Sequence, residues 1–283
     1  MNEAVILAAA RGLYFAATML LFGDLAFNML LRARLPVIVP PTNMTLRWSA
    51  LAVAMTAACV WLVMAAMQMA EALDTQVVFE TATATLFGQL FLVRMMALTG
   101  LALAFAARRG TKPAMPLAAV ALILPAATSH AATSSPAGFA ILGATLDALH
   151  LVTAGFWIGG LAILAHLFRR KEPNILLALS LFSDWAMIAV LLLVMTGLID
   201  GISIILGGSN GENGGTPSTL YLAVLGAKLA LVAAMLTLAA TNRFRWMPRG
   251  RDAVIARNAA LELAMGVIVV LLAGALGQLQ PTL

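Results

Sequence analysis

Apolar residues run along this chain in eight long stretches, separated by short segments where the charges gather. They lie near Ala4–Leu31, Trp48–Ala70, Leu86–Ala107, Met115–Thr133, Leu142–Phe168, Asn174–Leu206, Thr219–Thr241 and Asn258–Leu279. A helix that crosses a bilayer needs about 20 predominantly apolar residues, and each stretch has about that length. The pattern predicts an all-α fold: a polytopic membrane bundle of about eight transmembrane helices, forming a single domain over residues 1–283. The first and sixth runs exceed the hydrocarbon thickness, so they must tilt, kink or protrude. In the fourth, Pro125 removes a backbone hydrogen bond five residues before His130 and permits a kink. The segment Gly207–Ser218 (GGSNGENGGTPS) is too polar and glycine-rich to pack, and reads as a flexible outer loop.

Composition agrees with the pattern. The chain is 62% hydrophobic and only 10% charged, against roughly 25% charged residues in soluble domains. A soluble protein could not hide that much apolar surface, whereas a bilayer accepts it. The single cysteine, Cys59, excludes an internal disulfide framework. No short basic segment with a cleavage motif precedes the first run, which therefore reads as a retained span. There is no Walker loop, dinucleotide fingerprint, serine-nucleophile elbow or zinc-protease motif. The sequence thus points to transport rather than to an enzyme.

A net charge of +5 would suit an anionic partner such as nucleic acid, but its distribution says otherwise. Arg32, Arg34 and Arg47 flank the first connection, and Arg108, Arg109 and Lys112 the third. Arg169, Arg170 and Lys171 occupy the fifth; Arg243, Arg245, Arg249, Arg251 and Arg257 the seventh. These are 14 of the 17 Lys and Arg residues, and the even connections hold none. By the positive-inside rule the odd connections are cytoplasmic, so both termini face outside.

A shift of 136 residues places Leu13, Gly23, Leu25 and Ala26 on Leu149, Gly159, Leu161 and Ala162. A shift of 134 places Arg94 on Lys228. Two readings follow: a parallel repeat of four-helix halves, 1–133 and 142–283, or chance likeness among Ala/Leu/Gly-rich helices. The GxxxG pairs Gly155/Gly159 and Gly197/Gly201 are expected to let helices approach closely.

The three cations left over, Arg11, Arg94 and Lys228, lie within spans, together with Asp24, Asp147, Asp184, Asp200 and Glu262. Such groups are costly in a bilayer; they either form structural pairs, as Lys228 and Asp200 could, or line a functional route. Orientation puts Arg11, Arg94, Asp147, His150, Asp200 and Lys228 in the outer half, Asp184 near the middle, and Asp24 and Glu262 nearer the cytoplasm. His150 and His166 are 16 residues apart on one helix, about 24 Å along its axis, and cannot share an ion. His130 and His150 flank the outer turn between spans four and five and can meet, with Asp147 on the face of His150. Met67 and Met69, in the sequence MAAMQM, add soft thioethers that would favour Cu(I).

The stretch Asp147-x-x-His150-x6-Trp157-x-Gly159-Gly160, followed by Arg169–Lys171, resembles the copper resistance D family (CopD). Ser129-His130-Ala131, Phe182-Ser183, Thr196-Gly197, Lys228 and Asn242-Arg243 extend the likeness over the whole chain. The resemblance implies a bacterial inner-membrane protein of copper homeostasis that moves copper between periplasm and cytoplasm. It also implies a periplasmic CopC-like copper-binding partner.

The leading expectation is copper transport, with copper received at the periplasmic face by His130 and His150 and passed inward along the polar residues. The same histidine pair could instead hold haem b in a membrane cytochrome. A third reading is a non-transporting scaffold for copper-handling partners. The topology is directly testable. A reporter placed after Leu283 or within residues 208–215 should report the periplasm, and one near Arg249 the cytoplasm. Cytoplasmic signals from both the C-terminus and the glycine-rich segment would reverse the orientation.

Overall fold

The computed structural model describes residues 3–35, 43–70, 74–108, 110–128, 137–210 and 218–279, with backbone alone at 69–70, 137–139 and 203–210. The described chain is helical throughout, without strands. Its helices are α1 (Glu3–Arg34), α2 (Met44–Ala70), α3 (Thr75–Ala84), α4 (Leu86–Ala106) and α5 (Thr111–Ile123). They continue with α6 (Ala137–Arg169), α7 (Ile175–Asn210), α8 (Thr219–Thr241) and α9 (Asp252–Leu276). All but α3 are long and apolar enough to span a membrane, α5 together with the turn that follows it to Thr128, which gives the eight spans expected from the hydrophobic pattern.

Local chemistry explains the departures from that pattern. Helix α3 starts where Asp74 accepts the Gln76 amide at 2.8 Å, and ends at Thr85. Thr85 in turn caps α4 by accepting the Gly88 amide at 3.0 Å. Gly88 is required at this corner, because a Cβ there would strike the Thr81 carbonyl oxygen and the Ala82 backbone. Helix α3 is too short to register as an apolar run, so the hydrophobic pattern does not mark it. Helix α5 tightens into a 3₁₀ turn over Leu124–Thr128, at the position of Pro125. Helix α7 continues through Asn210, past the last apolar residue where the loop was expected to begin. Each residue added to an existing helix forms a hydrogen bond, so the end of an apolar run need not end the helix. The remainder of that loop, 211–217, lies outside the described residues.

Helices α1 and α6 form the centre. They run parallel and cross at glycines: a Cβ on Gly159 would lie 2.5 Å from Gly23 Cα, and one on Gly23 would lie 2.6 Å from Gly159 Cα. Around this pair, α1 is flanked by α2, α5 and α9, and α6 by α7, α9 and α5. Helix α4 closes against both α2 and α5, whereas α8 rests on α9 and makes at most marginal contact with α7 among the described residues. The second half is therefore more open laterally than the first.

Two apolar clusters fill the bundle. The larger joins Leu7, Tyr14, Phe22 and Leu25 of α1 to Trp61 of α2, Leu98 of α4 and Leu122 of α5. The other joins Phe27 and Leu31 to Trp157, Leu164, Phe182 and Ile255. Phe182 presses on Gly160 of the α6 motif, where a Cβ would meet its ring. The second GxxxG pair does not behave as expected: a Cβ on Gly201 meets none of the described residues within 4 Å, and Gly197 faces the His150 imidazole rather than a helix backbone. Spacing alone cannot say which face of a helix a neighbour covers.

Gly159→Leu should force α1 and α6 apart, since the atoms it meets are backbone. Overpacking of this kind typically costs about 1–3 kcal/mol, to be read as a lowered unfolding midpoint in detergent. Gly201→Ala, facing open space, should leave the midpoint unchanged within error.

Candidate functional site

On α6, Asp147 and His150 are three residues apart and share a face. On α7, Thr196 and Asp200 are four apart, with Gly197 between them. The antiparallel packing of α6 on α7 brings these faces together. His150 Nδ1 lies 2.9 Å from Thr196 Oγ1. That hydroxyl also reaches the Leu192 carbonyl at 2.9 Å and the Leu193 carbonyl at 3.1 Å. In the tautomer in which its proton goes to either carbonyl, Thr196 Oγ1 accepts from His150 Nδ1–H and the ring's lone pair is left on Nε2. This is how metal-ligating imidazoles are commonly oriented, by a hydrogen bond from the nitrogen that does not bind.

Asp200 lies within hydrogen-bonding reach of Asp147 and within electrostatic reach of Lys228 on α8. Lys228 also acts on His150. Three helices thus place one imidazole, two carboxyls and one ammonium in a single neighbourhood. Gly197 adjoins the imidazole, its Cβ position 3.3 Å from His150 Cε1.

The other expected ligands are placed less completely. His130 lies outside the described residues, as does the Met69 side chain. Met67 sits near the end of α2, half-buried. Among the described residues no three His, Cys, Asp or Glu side chains form a ready-made metal cluster. His166 is separate from His150, with its Nε2 buried and without a hydrogen-bond partner.

The remaining intramembrane charges form four distinct arrangements. Asp24 is bound by Arg47, Oδ2 to Nε at 2.5 Å, and accepts from Asn28 at 2.9 Å. A small crevice between α1 and α2, lined by Asp24, Arg47 and Leu20, opens beside this pair. Glu262, only 2% exposed, accepts from Asn242 at 2.9 Å, and Asn242 in turn accepts from Asn258 at 2.8 Å. Asn242 opens a π-helical turn, Asn242–Trp246, a geometry frequent at functional positions. Asp184 meets Arg243 at 2.9 Å, and Ser183 accepts from the same guanidinium at 2.6 Å. This ties Asp184 to the arginine-rich end of the bundle, not to its middle.

Arg94 and Arg11 are held by aromatic rings. The Arg94 guanidinium lies 4.9 Å from the Trp61 ring, 5.4 Å from Tyr14, 5.5 Å from Phe87 and 6.0 Å from Phe91. The Arg11 guanidinium lies 5.1 Å from the Trp61 ring and donates to the Gly277 carbonyl at 2.6 Å. The ring quadrupole offsets part of the cost of burying a cation. Sequence reasoning missed Thr196, Arg47, Asn28, Asn242 and Asn258 as partners. The family motif contains Thr196, but nothing in the linear order says which helix faces which.

Two family models match this chain. Copper resistance protein D matches residues 176–276, and the copper resistance protein D-like N-terminal domain matches residues 1–139. Copper resistance protein D of Pseudomonas syringae pv. tomato is 31% identical over 222 residues, covering 70% of each chain. Copper transport protein CutJ of Bacillus subtilis (strain 168) is 32% identical over 157 residues, which is 54% of this chain and 27% of that one. The chain thus matches only about a quarter of CutJ's length. No solved structure matches. The two models together reach both ends of the described bundle and a relative aligns along most of it, so the chain belongs to the copper resistance protein D family.

Proposed function

We propose that this chain carries copper across the bacterial inner membrane, receiving it at the periplasmic face through His150 together with His130. The observation that carries the reading is the imidazole of His150, anchored through Nδ1 to Thr196 in a membrane bundle, an arrangement that leaves Nε2 to bind in the Nδ1–H tautomer. Imidazole suits copper, and thioethers from Met67 or Met69 would bias the site toward Cu(I). Asp147 and Asp200 lower the electrostatic cost of bringing a cation to that depth.

Copper released from this site would move inward past Asp24, Asp184 and Glu262, where carboxyls and amides line the lower half. Arg11, Arg94 and Lys228 would set the boundary of that route by repelling a cation. With both termini periplasmic, as the loop charges indicate, the receiving face lies where a small CopC-like copper-binding protein could deliver its ion. The family membership and the copper-related names of both relatives support this reading.

His150→Ala should remove most bound copper from purified protein, and His130→Ala should do the same, while His166→Ala behaves like the parent. Thr196→Val keeps the shape but loses the oriented hydrogen bond, so copper affinity should fall about 10–100-fold. Cu(I) affinity is measured by competition with a chromogenic chelator, alongside copper uptake into proteoliposomes. Full copper occupancy and transport in both outer histidine variants would sink the site. A Soret band present in the parent and lost in those variants would replace copper by haem.

A further inference from the structure

The crossing of α1 and α6 is reciprocal. A Cβ on Gly23 meets the Gly155 carbonyl oxygen, and a Cβ on Gly159 lies 2.9 Å from the Met19 carbonyl oxygen. Adding 136 to Met19 and Gly23 gives Gly155 and Gly159, so each contact is the image of the other. Contacts of the form i to j and j to i are the signature of a two-fold interface. Here they join two parallel helices of one chain, as a repeat related by an axis along the membrane normal requires.

The same shift relates the two outer clusters. It carries Arg11 to Asp147, Tyr14 to His150, Trp61 to Gly197 and Met64 to Asp200, and a shift of 134 carries Arg94 to Lys228. The spatial relations follow. Tyr14 packs on Trp61 with ring centroids 5.8 Å apart, and His150 packs on Gly197 with its Cε1 3.3 Å from the Cβ position. Arg94 lies over Tyr14, and Lys228 acts on His150. Deeper in the bundle, Asp24 bound to Arg47 is matched by Gly160 against Phe182, one residue off the equivalent pair.

The clusters differ in what fills them. In the first half a guanidinium that is 2% exposed already occupies an aromatic cage, and a second arginine shares its indole. In the second half the indole is replaced by a glycine, and the arginine equivalent to Asp147 by a carboxylate. No indole covers His150, whose imidazole packs directly on Gly197, and the local charge changes from two arginines to two acids with one lysine.

We propose that the chain is two four-helix halves related by a pseudo-two-fold axis at the Gly23/Gly159 crossing, with one open cation site and one closed twin. The open site is at His150, where Gly197 lets the imidazole lie against α7 with no indole over it, and its occupant is the copper of the proposed function, on which this inference rests. The closed twin is the Tyr14/Trp61/Arg94 cage, where a tethered guanidinium is the permanently seated cation. One copper ion per chain is the consequence, in spite of two homologous halves.

The test uses full-length protein in detergent, titrated with Cu(I) against a chromogenic chelator, with size-exclusion chromatography as the check on folding. The parent should bind one Cu(I) in this region and His150→Ala none. Gly197→Trp, which rebuilds the first half's filling in the second, should weaken binding at least tenfold while eluting like the parent. Should that variant aggregate, Gly197→Ala decides instead, since its methyl presses on the imidazole and should weaken binding severalfold. Parent-like affinity in the folded glycine variant, with binding still lost in His150→Ala, would overturn the role of Gly197 and leave the transport site standing. Two Cu(I) per chain, one surviving His150→Ala, would overturn the closed twin. A single Cu(I) unaffected by His150→Ala would instead remove the proposed function on which both depend.

Discussion

The close approach of α1 and α6 at Gly23 and Gly159 is the constraint from which the rest of the structure follows. Water is absent from the hydrocarbon interior, so apolar surface alone does not draw helices together there; close packing does. Where two backbones touch, side chains above and below the crossing must diverge, and the neighbouring helices fill the space. Helices α2 and α5 take one side and α7 and α9 the other. The depth of each polar residue on α1 and α6 is then set by its distance from one point. Asp24 is next to that point, and Tyr14 and His150 stand equally far from it toward the other end of the two helices.

The second constraint is that ionisable groups inside the bundle must be answered locally. The structure uses a different answer at each site. Asp24 has a guanidinium and an amide; Glu262 has two amides in series; Arg94 has four aromatic rings. These arrangements are internally satisfied to different degrees. Individual nitrogens of Arg94, Arg47 and Arg11 have no hydrogen-bond acceptor among the described residues. His150 differs in that its Nδ1 is anchored to the Thr196 hydroxyl of a neighbouring helix, which fixes the direction of the ring. A group answered on all sides holds a fold together, whereas one with a directed lone pair can take a ligand.

Openness separates the halves further. Helix α4 is packed on two spans, and its face toward α1 carries the arginine cage; α8 leans mainly on α9 and carries Lys228 at the corresponding depth. A tightly packed half can hold a fixed cation in place, because the surrounding rings cannot move apart without losing contact. A loosely packed half can admit and release one. The contrast in packing and the contrast in chemistry therefore point the same way.

Much of this was legible in the linear order. Eight spans follow from eight apolar runs because the bilayer fixes the length of each, and the family follows from a motif carried mostly by one helix, α6. The proximity of Asp147 to His150 is likewise local, since residues three apart on a helix share a face. The tertiary structure alone decided what crosses from helix to helix: Thr196 orienting His150, Arg47 answering Asp24, Asn242 and Asn258 reaching Glu262, and Arg243 returning to Asp184. It also separated two GxxxG pairs that look alike in sequence, one at a helix crossing and one beside an imidazole. The reason is rotational. In a span that is apolar all round, no stripe of polar residues marks the buried face, so the angle each helix presents is set only when its neighbours pack against it.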